Sequence, residues 1–108
     1  MIYEYRVYSC LPLQLPRLLA RFENHTLGIW KQHGIRQVGF WTVQIGDGNH
    51  DLHYILAWES LAEREQKWNA FVADPVWIAA RDDSERAGPI IANVKTTILH
   101  PTRFSALS

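Results

Sequence analysis

The hydrophobic period along this chain is that of a strand, a helix, two strands, a helix and a strand in turn, and this order leaves few ways to build a core. Ile2 to Cys10 is rich in aromatic and β-branched residues, with Glu4 and Arg6 on alternate positions, which predicts a strand. Beyond Pro12, Pro16 suits the first turn of a helix. Leu15, Leu18, Leu19, Phe22, Thr26, Ile29, Trp30 and His33 then recur at spacings of three and four until Gly34. Ile35–Ile45 and Leu52–Glu59 flank Gly46-Asp47-Gly48-Asn49, residues that tolerate positive φ, and read as a hairpin. Ser60-Leu61-Ala62-Glu63 is a capping box opening a second helix through Trp68 and Phe71. Asp74-Pro75 starts a shorter helix that Gly88-Pro89 stops, and Ile90–Leu99 predicts the last strand.

With right-handed crossovers, β-α-β-β-α-β is most simply satisfied by an α+β, ferredoxin-like fold. It has a four-stranded antiparallel sheet, strand order 4-1-3-2, with the helices on one face. A composition of 47% hydrophobic and 20% charged residues suits one globular domain over residues 1–108, with a core at 1–100 and a tail at 101–108 whose order depends on docking. Eleven Lys and Arg against eleven Asp and Glu, with no basic block, argue against a nucleic-acid partner. The single Cys10 forms no internal disulfide or thiolate metal cluster and fits a reducing cytoplasm. No stretch approaches the roughly 20 apolar residues of a membrane span, and the N-terminus reads as mature structure from Ile2 rather than as a targeting segment.

A hairpin turning at Gly46–Asn49 pairs Arg36 with Glu59 and Trp41 with Tyr54. That register gathers Trp41, Tyr54 and Trp58 on a strongly apolar face for the helices to cover. The other face carries Val38, Phe40 and Ile55, interrupted by Arg36, His53 and Glu59. Helices roof only one face of such a sheet, and leaving the second wet exposes more apolar surface than monomers usually tolerate. A homodimer through the open face is therefore expected, with Arg36 and Glu59 near its rim. The alternative is that the segment from Pro101 folds across that face.

Several stretches resemble the NIPSNAP family of dimeric α/β-barrel domains, over Tyr3 to about Phe104. They are Tyr3-Glu4-Tyr5-Arg6-Val7-Tyr8, then Lys31-Gln32-His33-Gly34 with Val38-Gly39-Phe40-Trp41, and above all Leu56-Ala57-Trp58-Glu59-Ser60-Leu61-Ala62-Glu63-Arg64-Glu65 with Trp68, Phe71 and Asp74-Pro75-Val76-Trp77. Relatives commonly carry Pro-Gly in the turn before the first helix, where this chain has Leu11-Pro12-Leu13-Gln14. The resemblance implies a ferredoxin-like protomer, a dimer and no agreed chemistry. Eukaryotic relatives are often mitochondrial, with links to vesicle traffic and mitophagy signalling; the targeting extension those roles need is not seen here, so they are not carried over.

His25 and His33 sit eight residues apart on one helix, a rise of ~12 Å, so they cannot share a metal ion, and no metal is expected. Trp41, Tyr54 and Trp58 read first as core. The functional reading is an apolar ligand pocket between helix and sheet, with Trp30 and His33 at its mouth. Related dimeric α/β-barrel monooxygenases place substrate in that layer. The helix Leu61–Ala73 lacks the histidine that haem-degrading relatives present there, so no cofactor is expected. Arg64 and Glu65 read as a solvated helix face with an ion pair worth about a few tenths of a kcal/mol, and Cys10 as a structural thiol. The expected function is an interaction module for a small hydrophobic ligand or a protein partner. The alternative is a cofactor-independent enzyme of monooxygenase or isomerase type, so enzymatic activity is left open.

Overall fold

The computed structural model describes residues 1–108. Its elements are β1 (Ile2–Cys10), α1 (Leu15–Arg21), a π-helical stretch (Phe22–Thr26), α2 (Leu27–His33), β2 (Arg36–Thr42), β3 (Asp51–Trp58), α3 (Leu61–Val72), α4 (Pro75–Ser84) and β4 (Ile91–Leu99). The strands form one antiparallel sheet in the order β2-β3-β1-β4, the expected ferredoxin-like arrangement read from its other edge. The sheet is open, with β2 and β4 as its edges. No helix is long and apolar enough to cross a membrane.

The long first helix is continuous, its backbone right-handed helical across both junctions, but it widens by one residue in the middle, where the Leu27 amide reaches back to the Phe22 carbonyl. Gly34, at φ 71°, closes it with the left-handed cap that favours glycine. Ser60 Oγ accepts from the Glu63 amide at 3.1 Å to start α3, and Asp74 accepts from the Val76 amide at 2.8 Å to start α4. At the other end of α4, Arg17 donates to the Ser84 carbonyl at 2.6 Å and Arg21 to Ser84 Oγ at 3.3 Å, two cations where the helix dipole is negative.

The turn that departs from the family's Pro-Gly pattern shows where the departure falls. The Gln14 amide donates to the Leu11 carbonyl at 3.0 Å, and Leu13 takes φ 68° while 82% exposed. A left-handed conformation costs a non-glycine residue roughly 1–2 kcal/mol, and glycine returns part of that as unfolded-state entropy. Leu13→Gly is expected to stabilise the protein by about 0.5–1 kcal/mol, read as a rise in the urea midpoint with an unchanged slope.

The hairpin corrects the expected register. Arg36 pairs with Ala57 rather than with Glu59, a bulge follows at Val38, and beyond it Gly39 faces Ile55, Phe40 faces Tyr54 and Trp41 faces His53. The strands stop at Thr42 and resume at Asp51, so the loop is longer than the four turn residues. A slip of one residue sends each side chain through the sheet. Phe40 therefore belongs to the helix-covered face, stacked on Tyr54 with ring centroids 4.8 Å apart and edge-on to Phe22 at 5.2 Å. Trp41 lies on the open face, 51% exposed, with its ring across Gly39, where an added Cβ would stand 2.8 Å from it.

The covered face packs Leu52, Tyr54, Leu56 and Trp58 of β3 against Leu18, Phe22, Ile29, Trp30 and Phe71 of the helices, all buried. Through the register of β1 with β3, the open face receives Tyr3, Tyr5 and Val7 beside Ala57, Ile55 and His53. The tail beyond Pro101 returns over one corner of that face. Tyr3 Oη donates to the Ser108 carbonyl at 3.4 Å, and a hollow of about 320 Å³ remains between the tail and Tyr3, Ile55 and Leu99.

Candidate functional site

The layer expected to hold a pocket is filled. Tyr54, Trp58 and Trp30 come together as buried side chains, with the Trp30 ring packed on Phe22, Tyr54, Trp68 and Phe71. Trp41 is absent from this layer because the bulge turns it to the other face. His33 is engaged elsewhere: its Nε2 lies 2.7 Å from Asp74 Oδ2, joining the end of α2 to the start of α4. That bond, with the Val76 amide next in importance, holds the Asp74 carboxyl below its ordinary range.

On the open face Tyr5 Oη and His53 Nδ1 are 2.7 Å apart with their rings stacked. Ile55 is half-buried beside the tail, Val38 is the exposed bulge residue, and Arg36 reaches Glu59 at 3.3 Å on the rim despite the shifted register.

The least anticipated feature is a buried ionic network between β1 and α3. The Glu4 carboxylate, with no solvent exposure, accepts from Trp58 Nε1 at 2.9 Å, Arg6 Nη1 at 2.8 Å, and Arg64 Nε and Nη2 at 2.7 and 3.1 Å. Burial alone pushes this carboxyl up, but the bonds from Arg64, Arg6 and Trp58 outweigh it and hold the pKa below the usual value. Arg6 also donates to Tyr54 Oη at 2.8 Å, Tyr8 Oη at 3.1 Å and Thr96 Oγ1 at 3.1 Å, and lies 4.7 Å from the centre of the Trp68 ring. Arg64 is thus a strut rather than a solvated residue. Its expected surface role is corrected by the α3 geometry, which lays the guanidinium fork on Glu4.

The network leaves one trace in the sequence. Glu4 and Arg6 are two apart on a strand, so they share a face, and that face also carries Ile2, Tyr8 and Cys10. Within the network each carboxylate lone pair of Glu4 is used, and burial, reinforced by Tyr8, drives the Tyr54 phenol well above its ordinary value. Burial, then Asp51, likewise pushes the Cys10 thiol up and away from the thiolate. No group of three or more His, Cys, Asp or Glu side chains is placed to hold a metal ion.

The open space in the helix–sheet layer lies elsewhere, beside the widened turn. Leu19, Phe22, Glu23 and Leu27 of the first helix, with Phe40 and Leu52 of the sheet, line an open hollow of about 300 Å³. Glu23 is the one titratable group on this wall. The π-helical turn sets the spacing of these residues, a common use of such widened turns near binding sites.

A model of the NIPSNAP family matches residues 3–106. Protein Atu4242 from Agrobacterium tumefaciens, solved by crystallography, is similar over the whole of both chains, with TM-score 0.88 and 30% identity. An uncharacterised NIPSNAP-like domain protein from Burkholderia xenovorans superposes with TM-score 0.85 at 23% identity, over 96% of this chain and 87% of its own. Distant structures share the fold alone, among them a mutant of MhuD with two manganese protoporphyrin IX bound per active site, at TM-score 0.65 and 15% identity over 98% of this chain and 99% of its own. No curated protein matches.

Proposed function

The chain belongs to the NIPSNAP family, and from that premise we propose that it works as a homodimeric module, in the cytoplasm, that holds a small hydrophobic ligand between its first helix and its sheet. The observation that carries the ligand reading is the 300 Å³ hollow at the π-helical turn, with five apolar walls and one carboxylate at Glu23. An apolar cavity of ~150 Å³ accommodates benzene, so this one has room for a ligand about twice that size. Dimerisation is supported by the open face, where Trp41, Tyr5 and Val7 lack a roof of helices and the tail reaches only the corner of Tyr3, Ile55 and Leu99. The buried, unpaired Cys10 accords with a reducing compartment.

Binding is favoured over catalysis because the hollow presents no nucleophile and no acid–base pair, only Glu23. Nor does its wall offer a histidine, cysteine or tyrosine to ligate a porphyrin iron, and α3 carries no histidine, so the residues do not fit haem.

The test is native mass spectrometry of the purified protein beside titration with 1-anilinonaphthalene-8-sulfonate and naphthalene as apolar probes. The dimer mass and saturable probe binding are expected. Leu27→Trp fills the hollow and should weaken probe binding by about tenfold or more while the circular dichroism melt stays cooperative. Probe binding unchanged by Leu27→Trp would refute this pocket.

A further inference from the structure

The corner of the open face covered by the tail carries both a hollow and a projection. The hollow of about 320 Å³ is walled by Tyr3, Ile55 and Leu99 of the sheet and by Pro101 and Leu107 of the tail. The projection is Phe104, from the same tail, 85% exposed and outside the hollow's lining. The tail around it is held in place, with the Ser105 amide on the Thr102 carbonyl at 3.1 Å and Tyr3 Oη on the Ser108 carbonyl. Leaving a phenyl ring in water beside an apolar hollow wastes the burial that both can provide.

We propose that Phe104 of each copy seats in the hollow of a second copy, so that the two tails are exchanged contacts of a two-fold dimer. This rests on the dimer reading given above. A two-fold interface is self-complementary, so an axis passing between a projection and a hollow on one copy seats each projection in the hollow of the other. Area argues the same way. Four strands about 4.8 Å apart and roughly eight residues long cover about 500 Å² of flat area per sheet face, so two faces in contact occlude on the order of 1,000 Å² before side-chain relief is counted, toward the small end for a specific interface. Seating the tails adds to that contact. Trp41 is a poorer candidate for the hollow, since its ring already lies across its own Gly39.

The experiment mixes two differently tagged full-length chains, one Phe104→Cys and one Leu99→Cys, under mild oxidation, and measures the dimer dissociation constant of Phe104→Ala by analytical ultracentrifugation. Phe104 has no role in the core, so Phe104→Ala should fold as the parent does. A disulfide-linked species carrying both tags is expected, together with a dissociation constant raised about tenfold or more. If the parent is a dimer, Phe104→Ala associates equally tightly and no doubly tagged species forms, the tail exchange is wrong while the dimer stands. If the parent sediments as a monomer at tens of micromolar, the dimer reading fails, and the tail exchange with it.

Discussion

Glu4→Ala is expected to destabilise the fold by about 3–5 kcal/mol, the cost of stranding a buried charge whose partner has been removed. The change leaves Arg6, 8% exposed, without its counter-ion and frees the Arg64 fork and the Trp58 indole at the same time. The measurement is urea unfolding followed by tryptophan fluorescence. Arg64→Met keeps the apolar stem and should lose about 1–2 kcal/mol, whereas Glu65→Met, one position along and exposed, should stay within about 0.5 kcal/mol. Equal effects at 64 and 65 would return Arg64 to the solvated face. The network also has a pH signature. Because the folded pKa of Glu4 is lowered, its contribution is complete above the unfolded carboxyl value of about 4.3 and is lost as pH falls through the folded value. The stability gap between the parent and Glu4→Gln should therefore be constant near neutrality and shrink on acidification below about pH 4.

Trp41→Lys is expected to convert the proposed dimer to monomer, raising the dissociation constant by about a hundredfold or more, as loss of an aromatic anchor and introduction of a charge into the apolar face would. Trp41 is half-exposed and outside the core, so the thermal unfolding of the monomer should stay cooperative and circular dichroism should be preserved. Light scattering coupled to size exclusion reads the mass directly. Phe40→Lys provides the contrast. Had the register assumed from the turn residues been right, Phe40 would lie on the open face of the sheet. With Phe40 stacked on Tyr54 and Phe22, the substitution places a charge against the helical layer and should destabilise folding instead of association. A Trp41→Lys variant that still weighs as a dimer would place the interface on another surface.

The two variants mark where the sequence could be read and where it could not. Strand and helix order, the caps at Ser60, Asp74 and Gly34 and the strand order of the sheet followed from local chemistry and from the few permitted crossovers. The face of β2 did not follow, because both alternations along Val38-Gly39-Phe40-Trp41 are apolar and one bulge residue decides between them. The widened turn at Phe22–Thr26 was equally hidden. Over so short a stretch, one added residue leaves the three-and-four spacing of apolar side chains intact, yet it sets the wall of the hollow. The predicted pocket residues divided accordingly. Trp30, Tyr54 and Trp58 were placed together as buried aromatics, while His33 went to Asp74, which only the folded chain brings near, and Trp41 turned to the open face across its own Gly39.

What the sequence determined by itself, then, was the fold: hydrophobic period, capping residues and chain connectivity act over a few residues or through rules of handedness, and all are written locally. What tertiary structure decided was the use of each face. The Glu4 carboxylate meets Arg64 across sixty residues, and Phe40 meets Phe22 across eighteen, so these contacts exist only once α3 and the first helix have settled on the sheet. Burial and hydrogen bonding depend on such distant neighbours. The same glutamate that would be a solvated charge on an isolated strand becomes, under α3, the buried anion that ties the helix down.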